Sequence, residues 1–99
     1  MTIYQILATL GKPVAYGHHS KPTDPPYFTL MGAGQDQFQA DNTYYTKKDH
    51  WQIEFYFEDK DPELEETIEA LLLQYGLKYD KSEDIYLDDE DIFVIYYDI

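Results

Sequence analysis

Hydrophobic positions recur along this chain at two spacings, and the change from one to the other divides it into elements. Trp51, Ile53, Phe55 and Phe57 alternate with Gln52, Glu54, Tyr56 and Glu58. A period of two places one set on a buried face and the other on a wet one, so this stretch is predicted as a central strand of an antiparallel sheet. Beyond it the spacing turns helical, with Leu64, Ile68, Leu71, Leu72 and Tyr75 on one apolar stripe. Asp61 is placed to cap that helix, with Pro62 at its first position. Glu63, Glu65 and Glu66 lie beside the positive end of its dipole. Gly76 supplies the left-handed residue that closes it.

The same two periods organise the rest of the chain. Ile3, Ile6, Leu7 and Leu10 share a helical face. Thr2 and Gln5 form a capping box before it, and Gly11 and Pro13 end it. Residues 13–18 read as a short strand with Val14 and Tyr16 on one side. Residues 19–26 hold Pro22, Pro25 and Pro26 and are an exposed loop. Residues 27–32 are a strand that Gly32 and Gly34 break or bulge. Residues 35–48 are polar with scattered aromatics and a turn signal at Asp41-Asn42, which predicts a hairpin arm projecting from the body. Residues 77–87 and 91–99 are expected as two strands joined through Asp88-Asp89-Glu90-Asp91, the last of them apolar on both faces. Together these elements predict an α+β fold over 1–99 as a single domain: an antiparallel or mixed sheet, two helices packed on one face and a projecting β-hairpin arm.

Composition narrows what such a fold can do. The chain has 99 residues, enough for one core. Its formal net charge is −13, and seven Lys with no Arg are the whole cationic supply. Gripping nucleic-acid phosphates or anionic membranes needs the opposite balance, so no direct sequence-specific nucleic-acid binding and no membrane contact are expected. There is no Cys, which removes disulfides, thiolate chemistry and cysteine zinc sites. The opening MTIYQILATLGK carries no basic leader, and no run reaches the roughly 18 apolar residues of a membrane span, so a cytoplasmic setting is expected.

The polar residues suggest no reaction. His18 and His19 are adjacent and point to opposite faces of a strand, so they are expected as solvated imidazoles rather than metal ligands; His50 is distant. The acidic run at 88–91 lacks the ligand spacing and turn Gly of a calcium loop. Gly32-Ala33-Gly34 is followed by no Lys-Ser or Lys-Thr, and neither Ser20 nor Ser82 sits in a nucleophile elbow. Catalytic, cofactor-binding and metal-binding residues are all expected to be none. Eleven Tyr remain to be accounted for. Aromatic anchors with a polar rim mark docking surfaces. Phe38, Asp41, Asn42, Tyr44, Tyr45, Tyr56, Tyr86 and Tyr97 are the expected interface residues.

Several segments also carry a likeness. Pro13-Val14-Ala15-Tyr16-Gly17, Gly32-Ala33-Gly34 with Phe38 and Ala40-Asp41-Asn42, and Ile53-Glu54-Phe55-Tyr56 resemble small tail-completion proteins of long-tailed phages and prophages. Asp61-Pro62-Glu63-Leu64-Glu65 and Tyr79-Asp80-Lys81-Ser82-Glu83 continue the resemblance across most of the chain. It implies a tail terminator or head–tail joining component: a structural, cofactor-free α+β protein, not an enzyme. Such a protein oligomerises into a ring that caps the tail tube, with the tail tube protein and a head completion or connector protein as partners. It would work in the host cytoplasm during assembly and then in the virion tail, and like-charge repulsion allows a monomeric free chain. The alternative is an acidic DNA mimic or immunity-type inhibitor, with carboxylates spaced like duplex phosphates against a basic protein partner.

Overall fold

A computed structural model describes residues 1–40 and 44–99, and the side chains of residues 1–38 and 46–99. The described residues form α1 (Ile3–Ala8), β1 (Val14–Tyr16), β2 (Tyr27–Ala40), β3 (Tyr44–Phe57), α2 (Pro62–Gln74), β4 (Asp80–Lys81), β5 (Ile85–Leu87) and β6 (Ile92–Asp98). The six strands make one sheet in the order β1-β2-β3-β6-β4, with β5 also paired to β6. The sheet is mixed, because β1 runs parallel to β2 while the other pairs are antiparallel. The fold is α+β, with both helices contributing to the core on one sheet face.

The alternation in β3 builds that core. Ile53 lies opposite Leu30 and Tyr97, Phe55 opposite Phe28 and Ile95, and Phe57 opposite Phe93. Phe28, Phe55, Phe57 and Phe93 form a run of stacked rings with centroids 5.2, 5.3 and 5.5 Å apart. Leu7 of α1 and Ile68 and Leu72 of α2 close over them, all fully buried. Burying each such side chain contributes about 1.5–3 kcal/mol, so this layer holds the helices to the sheet.

Both helix starts follow their predicted chemistry. Thr2 Oγ1 accepts from the Gln5 N–H at 3.2 Å and Gln5 Oε1 accepts from the Thr2 N–H at 2.9 Å. Asp61 Oδ1 accepts from the Leu64 N–H at 3.1 Å. Gly76 sits at φ +73, just past α2.

The structure corrects one of these expectations and adds detail to others. The strand over 77–87 is two short pieces, β4 and β5. Between them Ser82 donates its main-chain N–H to the Tyr96 oxygen at 2.9 Å and uses its hydroxyl to accept from the Tyr96 N–H at 2.9 Å. Of the two outcomes expected at Gly32 and Gly34, the structure has the bulge: β2 continues past it to Ala40. Glu65, in the first turn of α2, is buried at 3% exposure. It is tied into an ion network: Lys60 and Lys81 donate to Oε1 at 3.0 and 2.9 Å, and Lys60 Nζ lies 2.7 Å from Oε2 as a charge contact outside hydrogen-bond alignment. Lys81 also reaches Glu69 at 3.0 Å, which accepts from Tyr97 at 2.9 Å and Tyr79 at 3.2 Å.

Candidate docking surface

The β2–β3 ladder has an inner part and an outer part. From Tyr27↔Tyr56 to Gly32↔Trp51 it belongs to the sheet, and from Gln35↔Asp49 to Ala40↔Tyr44 it continues as a two-stranded ribbon. The register shifts between Gly32 and Gln35, where Gly34 takes φ +103, a conformation that side chains with a Cβ rarely adopt. Gln35, Asp36, Gln37, Lys47, Lys48 and Asp49 leave the described part of the ribbon polar on both faces. Residues 31–38 and 46–49 are all exposed. Phe38, 54% exposed, is the large apolar side chain among the described ribbon residues. The pairings Asp36↔Lys48 and Phe38↔Thr46 place those four residues on one face.

A histidine marks the junction of ribbon and sheet. His50 Nε2 lies 2.7 Å from Asp36 Oδ2, and its Nδ1 lies 3.2 Å from the main-chain oxygen of Ile99. The hydrogen bond to Asp36 and that to the Ile99 oxygen raise the imidazole above its ordinary 6.5, against smaller opposing effects of burial and Lys48. His50 joins β2 and β3 to the main chain of Ile99, just past β6. The polar periodicity of 35–50 does not mark it, because its partners lie 14 and 49 positions away.

Beside this junction the core face opens into a cleft. Trp51 stands at its centre, with the Tyr16 ring edge-on at 6.5 Å and the Tyr16 hydroxyl accepting from the Gly32 N–H at 3.3 Å. Two adjoining depressions of about 450 and 360 Å³ share Lys48, Trp51, Lys78 and Ile99 in their walls. Tyr16, packed against Trp51, is 61% exposed.

The opposite sheet face carries a polar cluster that sequence reasoning missed. Glu54 Oε1 accepts from Thr29 Oγ1 at 2.6 Å and from the Tyr56 hydroxyl at 2.9 Å. Burial first, and then the bond to Glu54, raises Tyr56 above the ordinary tyrosine value, so its hydroxyl keeps the proton it donates to Glu54. Tyr56 also stacks on Tyr27 at 4.9 Å, and His19 packs edge-on against Tyr27 while its Nε2 meets the Phe28 carbonyl at 3.0 Å. His19, like His50, is therefore bound rather than simply solvated. A depression of about 270 Å³ in front of these groups is walled in part by His18, His19, Lys21 and Glu90. Among the described residues no group of three or more His, Asp or Glu is placed to hold a metal ion, and no helix is long and apolar enough to cross a membrane.

The expected interface residues do not form one patch. Phe38 lies on the ribbon, while Tyr86 is 47% exposed on β5 with its hydroxyl bonded to Asp91. Tyr56 is half-buried and held by Glu54. Tyr97 is a correction: it is fully buried opposite Ile53 with its hydroxyl on Glu69, a core residue that no partner can reach. Asp41 and Asn42 lie outside the described residues, as do the side chains of Tyr44 and Tyr45. No family model and no curated protein matches this chain.

Proposed function

We propose that this chain is a non-enzymatic assembly protein, of the tail-completion kind that its sequence resembles, and that the outer β2–β3 ribbon is its docking element. One observation carries the proposal. The ribbon extends past the bulge with its described side chains exposed and, apart from Phe38, polar. A free two-stranded ribbon is marginally stable in water and offers two unpaired edges, so a partner chain that pairs with an edge or covers Phe38 supplies what it lacks. The partners are neighbouring copies in a ring, the tail tube protein and the head connector. The sites of action are the host cytoplasm during assembly and the virion tail afterwards.

The test is removal of the ribbon. Replacing residues 33–50 by Asn-Gly closes the Gly32↔Trp51 pair with a two-residue turn. The core lies elsewhere, so the thermal midpoint should move by less than about 5 °C, the shift that about 1 kcal/mol gives a domain of this size. Light scattering, alone and with tail tube protein, should show the full chain assembling and the shortened chain remaining a monomer. A shortened chain that assembles as well as the full one overturns the proposal. So does a full chain that stays monomeric at every salt concentration and ignores tail tube protein.

A further inference from the structure

We propose that His50 is a proton-operated latch that fixes the docking ribbon to the sheet when protonated and frees it when neutral. The inference rests on the ribbon being the docking element and adds how that element is regulated.

The argument begins with hydrogen-bond capacity. Asp36 Oδ2 and the Ile99 oxygen are both acceptors, and His50 faces one with each ring nitrogen, at 2.7 and 3.2 Å. A neutral imidazole has one N–H and one lone pair, so it can donate to only one of them and must turn a lone pair towards the other. The imidazolium alone donates to both, and its bond to the carboxylate is charge-assisted. The charged ring is therefore the form that satisfies both contacts.

Position makes this pair matter. His50 stands where the β2–β3 ladder is interrupted, between the Gly32↔Trp51 and Gln35↔Asp49 pairs. The register shifts there, so the side-chain bonds of His50 add a cross-link where the ladder is irregular. Asp36 belongs to the ribbon. Ile99 belongs to the body: its N–H donates to the Trp51 oxygen at 2.9 Å and its oxygen also accepts from the Trp51 N–H at 3.1 Å. The imidazolium thus bridges ribbon and body across the bulge. The other charged groups around it are two Lys and three Asp, which leaves a small acidic surplus. Lys48 and Asp49 lie on its own strand, with Lys78 and Asp80 beyond α2 and Asp98 on β6. Asp49 accepts from Gln35 at 2.7 Å and Asp98 from Gln52 at 3.1 Å, which leaves Asp36 as the carboxylate in contact with the ring.

The sign follows from linkage. Asp36 and the Ile99 oxygen favour the protonated ring in the latched state, which raises its titration above the ordinary 6.5. The latch is complete below that value and is lost as pH rises through the raised one. A separation of one pH unit between the latched and open titrations corresponds to about a tenfold change in the opening equilibrium.

The experiment uses the whole free chain, so it succeeds or fails independently of any docking partner. NMR of the His50 ring gives its titration midpoint. Amide exchange at 35–38 and 46–49, normalised for intrinsic rates, gives ribbon opening across the same pH range. The midpoint should lie above 6.5, and protection should fall through that midpoint by the factor its displacement dictates. His50→Gln donates from an uncharged amide and should abolish the pH dependence. Asp36→Asn, at an exposed position, should bring the midpoint down and flatten the protection curve, and it carries the test alone if His50→Gln does not fold. Ribbon protection that stays level while His50 titrates overturns the latch, as does a His50 midpoint at or below 6.5.

Discussion

Glu65 shows how one side chain can hold several elements together. Its carboxylate is buried at the start of α2, and the ammonium groups that neutralise it come from the loop before the helix and from β4. Lys81 bonds both Glu65 and Glu69, whereas Lys60 divides its charge between Glu65 and the exposed Asp84. Removing Lys81 therefore strands more interior charge. Lys81→Met should cost about 2–3 kcal/mol in urea unfolding, and Lys60→Met less, because a buried carboxylate that loses its charged partner keeps its desolvation penalty. Burial opposes ionisation of Glu69, but bonds from Lys81, Tyr97 and Tyr79 outweigh it and hold the carboxyl below its ordinary 4.5. Its stabilisation is thus present above pH 4.5 and lost as pH falls through the lowered value. In Lys81→Met the acid limb of a thermal-midpoint profile should begin at a higher pH; an unchanged limb would remove Glu69 from the account. Neither role was visible in the sequence. Glu65 sits among other acidic residues of a first helical turn, where exposure is the ordinary outcome. Tyr97 sits in a strand apolar on both faces, where only the register against Ile53 decides which side faces in.

At the scale of elements, what could be read locally was read correctly. The N-cap of α2 is a contact between residues three apart, and its stop is one glycine at φ +73. Asp61→Ala should therefore cost about 1 kcal/mol and Asp61→Asn much less, since Asn keeps the accepting oxygen. Equal losses for the two, measured by urea unfolding, would mean that charge at the helix end outweighs the cap bond. The alternation of β3 was equally legible because each residue's face follows from its neighbours. The broken edge over 77–87 was not. Its continuity depends on Ser82 satisfying the Tyr96 N–H, a choice made 14 residues away. The length of the β2–β3 ladder lay between these cases. Gly32 and Gly34 signal an interruption, but whether a strand ends or bulges there depends on what the partner strand offers beyond it. Of the candidate site, the polar aromatic character of 35–48 was legible, while the His50 junction and the Trp51 cleft were not, because both are assembled from distant strands.

For the whole molecule, the distribution of charge matters more than its sum. Residues 1–53 hold four Lys against four Asp, and residues 54–99 hold three Lys against sixteen Asp and Glu, so the entire −13 falls in the second part. Copies that meet through their acidic parts repel, whereas an arrangement that sets the neutral ribbon of one against the body of the next avoids the worst of it. Repulsion between exposed charges reaches about 30 Å at 0.01 M salt and about 10 Å at 0.1 M. If the chain assembles with itself, raising salt from 0.01 to 0.3 M should strengthen association, on the order of tenfold, as mass by light scattering at fixed protein concentration would record. A DNA-mimic inhibitor predicts the reverse, because attraction between its carboxylates and a basic partner is what salt screens. The sign of the salt dependence therefore separates the two readings without knowledge of the partner. Self-association that weakens as salt rises would mean that the acidic surface is itself the binding face, and the ribbon would lose its claim to that role.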